Sequence, residues 1–145
     1  MFCLFVFYFI AEILMSNLQI IQEYSVALWD TKNLDVIEHY CAPDVKAHSP
    51  ISTIQGVEEM CTIMTHWHVG FPHLKVYWDD FICEDNKVVS RWHAKGIHEG
   101  EFLGIAPTYR TVKYSGVTIY HMNNNKITEY WAYVNIQHIK EQLLA

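Results

Sequence analysis

The sequence predicts an α+β domain, and three observations carry that prediction. Apolar residues recur at helical spacing in three stretches before Pro72. After Pro72 the period changes to two. Four such alternating runs then follow one another with no helical pattern between them. Helices segregated from consecutive strands define α+β architecture, and a strongly curved sheet wrapped over the helices would enclose an apolar interior.

At 145 residues the chain is long enough to bury a core as one domain. It divides into an apolar extension, residues 1–14, and a domain over residues 15–145. Glu12 interrupts the extension and no Lys or Arg precedes Lys32, so the basic start of a signal peptide is missing. A membrane-crossing helix needs roughly 20 apolar residues. The preferred reading is therefore an upstream start before a domain that begins near Met15, with membrane contact as the minor one.

Ser16-Asn17-Leu18-Gln19 has the form of a capping box opening a helix. Leu18, Ile21, Tyr24 and Leu28 give that helix one buried face. Thr31-Lys32-Asn33 breaks it, and Asn33 can cap a short second helix carrying Leu34, Ile37 and Tyr40, which Ala42-Pro43 stops. Val45 to His48 reads as a short extended piece ended by Ser49-Pro50. Gly56 precedes a third helix with Glu58 and Glu59 at its positive end and a stripe of Val57, Met60, Met64 and Trp67. Gly70 and Pro72 end it.

Leu74, Val76, Trp78 and Ile82 then alternate up to a turn at Glu84-Asp85-Asn86. The return run puts Val88, Trp92 and Ala94 on one face and Arg91, His93 and Lys95 on the other. Arg91 reads as half of an ion pair on the face opposite Trp92. A loop from Gly96 leads to a strand from about Arg110. The last two runs flank Asn123-Asn124-Asn125-Lys126, a hairpin turn because asparagine tolerates left-handed backbone. Alternation groups Val117, Ile119 and His121 on one strand, and Glu129, Trp131, Tyr133 and Asn135 on the next. Ile136 to Leu144 forms a short closing helix or tail.

A formal charge of −6 argues against a nucleic-acid partner, whose phosphates call for a basic patch. Cys3, Cys41, Cys61 and Cys83 are widely spaced, which suits reduced thiols in a cytoplasmic protein better than a disulfide framework or zinc site. His66 and His68 lie two apart on a helix and do not face each other, so no metal is expected there, with or without His73.

The chemistry-bearing candidates cluster around the last hairpin. His121, His48 and His98 flank the expected pocket, and imidazole exchanges protons near neutral pH. Glu129 is a general base if desolvation raises its pKa. Asn135 can hydrogen-bond a carbonyl but cannot act as a carboxylate base. Trp29, Trp92, Trp131 and Tyr133 are the candidate aromatic contacts to a small apolar or carbonyl-bearing ligand.

Several short pieces recur in a specific order: Leu28-Trp29 with Asn33-Leu34-Asp35, Ala42-Pro43-Asp44-Val45 before His48-Ser49-Pro50, and Gly56-Val57. Phe71-Pro72-His73-Leu74, Val88-Val89-Ser90-Arg91-Trp92 and the run from Gly96 to Gly104 continue the series. Pro107-Thr108 and Lys126-Ile127-Thr128-Glu129-Tyr130-Trp131 complete it. Over about Ser16 to Asn135 the chain thereby resembles the SnoaL-like polyketide cyclases of the nuclear-transport-factor-2-like superfamily. The resemblance implies an NTF2-like cone, three N-terminal helices packed in a curved, mainly antiparallel sheet around a pocket. It also implies a homo-oligomer, dimer or tetramer, and ring closure of a polyketide ester by intramolecular aldol condensation without metal or organic cofactor.

In that family an acidic residue on the last strand serves as the acid/base, with a histidine on the preceding strand. By position the histidine falls on His121 and the acid on Asn135, a departure that removes the carboxylate. Glu129, of the same strand parity, or His121 alone would have to replace it. Tyr109 and Asn125 stand where the family often has glycine. Two expectations follow. One is cyclase or isomerase chemistry on a carbonyl-bearing, polyketide-like substrate; the other is a non-catalytic ligand-binding or interaction module on the same scaffold.

Overall fold

The computed structural model describes residues 15–145; the apolar extension and the upstream start read into it lie outside the described residues. Helix α1 (Asn17–Trp29) opens on the expected capping box: Ser16 Oγ accepts the Gln19 amide and the Gln19 side chain accepts the Ser16 amide. Its buried face carries Ile20, Ile21, Tyr24, Ser25 and Leu28. In α2 (Asp35–Tyr40) the cap position is Leu34, and Asn33 instead accepts the Asp35 amide through Oδ1.

Strand β1 (Cys41–His48) starts as α2 ends and takes in Ala42-Pro43, the pair expected to stop that helix. Its register along β6 shifts between Cys41 and Lys46, and such an irregular stretch can hold a proline with no amide to donate. A turn in which Ser49 Oγ accepts the amides of Ile51 and Ser52 leads to β2 (Thr53–Gln55). At three residues β2 is too short to show an alternation, and sequence reasoning missed it. Helix α3 (Val57–Gly70) buries Met60, Ile63, Met64 and Trp67.

Four long antiparallel strands follow: β3 (Lys75–Glu84), β4 (Lys87–Ile97), β5 (Thr111–Asn123) and β6 (Lys126–Val134). A bulge between Trp78 and Asp80 reverses the parity of β3. Ile82, expected on the face of Leu74 and Val76, is therefore 62% exposed. Asn124 and Asn125 take φ of 48° and 61°, the left-handed pair that a tight hairpin turn requires. Arg91 pairs with Asp80 at 2.6 Å on the outer face, as its position opposite Trp92 suggested. Helix α4 (Ile136–Leu144) closes the chain.

The sheet order is β2-β1-β6-β5-β4-β3, with the β1–β6 pair parallel and the others among the described residues antiparallel. Helices α1 and α3 fill one face of this curved sheet, and the main core lies between the two layers. The β4–β5 loop folds back over the end of α3, where the Gly70 carbonyl accepts the amides of Glu99 and Gly100. Phe102 from that loop inserts against Trp67 and Phe71, with ring centroids 4.7 and 5.1 Å away. Among the described residues, no helix is long and apolar enough to cross a membrane.

Candidate functional site

Between α1, α3 and the inner face of the sheet lies a cavity of about 690 Å3, counting its open mouth. The register explains its walls. Trp78, Trp92, Gly116 and Val134 lie abreast across four strands; Ser90, Thr118 and Ala132 form the next inner row, and Val88, Tyr120 and Tyr130 the one after. From the helical side Tyr24, Leu28, Trp29, Met64 and Trp67 close over them. Gly116 leaves space for the Trp92 indole: a Cβ there would sit 2.5 Å from Trp92 Cζ2. Trp92 Nε1 donates to Thr118 Oγ1 at 3.1 Å, which fixes the ring as a wall. Of the aromatic contacts expected from sequence, Trp29 and Trp92 line this cavity.

The other candidates do not. His121 pairs with Glu129 in register, and Trp131 lies opposite Ile119 on β5 and beside His48 on β1. These residues share the outer face, whereas the alternate positions Thr118, Tyr120 and Met122 are buried inside. His48 stacks on Trp131 with centroids 5.1 Å apart and planes at 10°, and its Nε2 lies 3.6 Å from Glu129. The His121 ring approaches the same indole at 4.7 Å. Four of the expected site residues thus meet, but behind the sheet. Tyr133, on the same face, is 60% exposed. Period-two alternation groups side chains correctly yet cannot say which group faces inward.

His98 is buried in the loop and does not line the cavity. Its Nδ1 accepts the Thr108 amide at 3.1 Å, and burial lowers its pKa and favours the neutral ring. This histidine ties the loop together. Asn135 lies just past the end of β6, where its Oδ1 accepts the His138 amide at 3.0 Å and caps α4. The position that by resemblance holds the family's acid is therefore exposed and occupied with helix capping. Asn135→Ala is expected to lower stability by about 1 kcal/mol, the usual worth of such a cap, with ligand affinity unchanged within about twofold. Thermal melting and ligand titration check both halves.

Sequence reasoning missed the inner tyrosines Tyr24, Tyr114, Tyr120 and Tyr130 as site residues. Their available signal was parity: Tyr114, Gly116, Thr118 and Tyr120 alternate as regularly as the set that was singled out. Among the described residues, no Asp, Glu, His, Lys or Arg side chain lines the cavity.

The sequence model of the family described as SnoaL-like polyketide cyclase matches residues 19–143. None of the curated proteins compared with the chain matches it. Among solved structures, one described as a SnoaL-like polyketide cyclase from Jannaschia sp. CCS1 superposes with a TM-score of 0.78 at 21% identity, covering 85% of this chain and 90% of that one. TsrD from Streptomyces laurentii gives 0.77 at 21% identity, covering 88% and 94%. An NTF2-like protein of unknown function from Burkholderia pseudomallei gives 0.76 at 18% identity, covering 90% and 100%. At these identities the likeness to each structure is one of fold.

Proposed function

The chain belongs to the SnoaL-like polyketide cyclase family, and we propose that within it this protein binds a neutral, mainly apolar small molecule in the interior cavity without acid/base chemistry. The observation that carries this reading is the lining. Among the described residues it is aromatic and aliphatic, relieved by hydroxyls and indole N–H groups, and it offers neither carboxylate nor imidazole. Proton abstraction requires a base within about 3 Å of the proton or one water away. His121 and Glu129, the side chains that would have to replace the missing acid, stand on the opposite face of the sheet. Cyclase or isomerase action on a carbonyl-bearing, polyketide-like substrate is the competing reading.

The outer face supports a second part of the proposal, a homo-oligomer. Exposed Tyr133, Tyr77 and Ile82 accompany the half-buried Trp131 there, an aromatic surface suited to a second copy of this chain. A cytoplasmic location fits the widely spaced cysteines.

Four of the five tryptophans line the cavity, so an apolar aromatic probe is expected to quench or shift tryptophan emission saturably. A polyketide ester incubated with the protein should remain uncyclised. Turnover that disappears in a folded Glu129→Gln or His121→Gln variant would overturn the non-catalytic reading.

A further inference from the structure

One end of the cavity differs from the rest. Tyr24, Tyr120 and Tyr130 line it together, with ring centroids 6.3 Å apart for the first two and 5.6 Å for the last two. The Tyr24 hydroxyl is buried with no oxygen or nitrogen partner, while the buried hydroxyls of Ser25 on α1 and Ser90 on β4 face that of Tyr120. The group next to the Tyr24 hydroxyl is the Cys41 thiol, a weak acceptor. A buried hydroxyl without a strong partner is costly, so the Tyr24 oxygen at the wall of a cavity demands an explanation beyond packing. Elsewhere in the cavity Trp92 Nε1 is paired with Thr118, while Trp78 Nε1, on the tryptophan wall, has no partner.

We propose that this hydroxyl cluster is a polar subsite for the uncharged oxygen of an otherwise apolar ligand, a carbonyl or hydroxyl group, and that Tyr24 determines the preference. The inference rests on the pocket reading given above. Its geometry is that of a hydrocarbon sleeve with one hydrogen-bonding end: a flat ring system fits among the tryptophans and its oxygen enters between the phenols. Among the described residues no Lys, Arg or His lines the cavity, so a carboxylate would be buried without a counter-charge. Burial also pushes the Tyr120 phenol up to about 12 and holds Tyr24 well above its ordinary value. Both therefore remain protonated donors at neutral pH.

Isothermal titration calorimetry with three matched probes tests this: tetralin, α-tetralone and the corresponding tetralin carboxylate anion. The wild type is expected to bind α-tetralone roughly tenfold more tightly than tetralin, the worth of one good hydrogen bond, and the anion most weakly. Tyr24→Phe removes an oxygen whose neighbour is a thiol, so it should stay folded and lose the preference for the ketone over tetralin. Tyr120→Phe, which removes the neighbouring donor at the same end of the cavity, should reduce that preference in part. If tetralin binds but α-tetralone binds no better, or if the preference survives Tyr24→Phe intact, the subsite is overturned while the pocket reading stands. If none of the three binds, the pocket reading falls and the subsite falls with it.

Discussion

Gly100→Ala is expected to lower the melting temperature by roughly 9 °C, equivalent to about 3 kcal/mol in a domain of this size. The cause is backbone against backbone. A Cβ at Gly100 would lie 2.0 Å from the Val69 carbonyl oxygen and 2.9 Å from its carbon, atoms held by the last turn of α3. No side-chain rotation relieves that contact. The loop must lift, and in lifting it releases the Glu99 and Gly100 amides from the Gly70 carbonyl and draws Phe102 out from Trp67 and Phe71. Gly104 in the same loop provides the internal comparison. It has φ of +77° and nothing within 4 Å of a built Cβ, so Gly104→Ala carries backbone strain of about 1 kcal/mol and no clash. Thermal melting of the two variants side by side is decisive. Equal losses would mean that the loop does not clamp the end of α3.

Gly116→Ala is expected to weaken ligand binding at least tenfold and to cost about 2 kcal/mol of stability. The new methyl would meet the Tyr133 carbonyl oxygen at 2.7 Å and Trp92 at 2.5 and 2.8 Å. The carbonyl belongs to the paired β6 backbone, so the indole is the part that moves. When it swings, the Trp92–Thr118 hydrogen bond breaks and the wall it fixed enters the cavity. Trp92→Leu in the same chain removes the ring half of the conflict but leaves the carbonyl half. The double variant should therefore regain part of the lost stability without regaining affinity. Calorimetry of the folded variants reads both effects, and wild-type affinity in Gly116→Ala would show that the indole position is immaterial to binding.

What was legible in the sequence is what local chemistry decides. The Ser16–Gln19 box, the asparagine turn and the stripes of α1 and α3 each depend on residues a few positions apart, and each appears where expected. Arg91 was readable because its partner lies on the neighbouring strand across a tight turn. The site was less so. Choosing the inner face of β5 and β6 depends on where α1 and α3 settle, a tertiary fact that neither alternating set of residues encodes alone. The bulge at Asp79 and the three-residue β2 leave too little pattern to detect. Asn135 shows the same limit from the other side. One residue beyond the strand, the next helix claims its side chain, and strand parity no longer applies.

The parallel β1–β6 pairing has a consequence for how the molecule comes to exist. β1 docks on β6, as in the Lys46–Glu129 register, so the two partners are separated by most of the domain. Contacts that distant form late, because closing so long a loop costs entropy before anything rewards it. The meander β3-β4-β5-β6 can zip from hairpin to hairpin, but the β1–β2 flap waits for the last of them. A chain emerging from a ribosome therefore carries β1 with one edge unpaired until β6 has been made. The interval of vulnerability to wrong partners is written into the order of the strands.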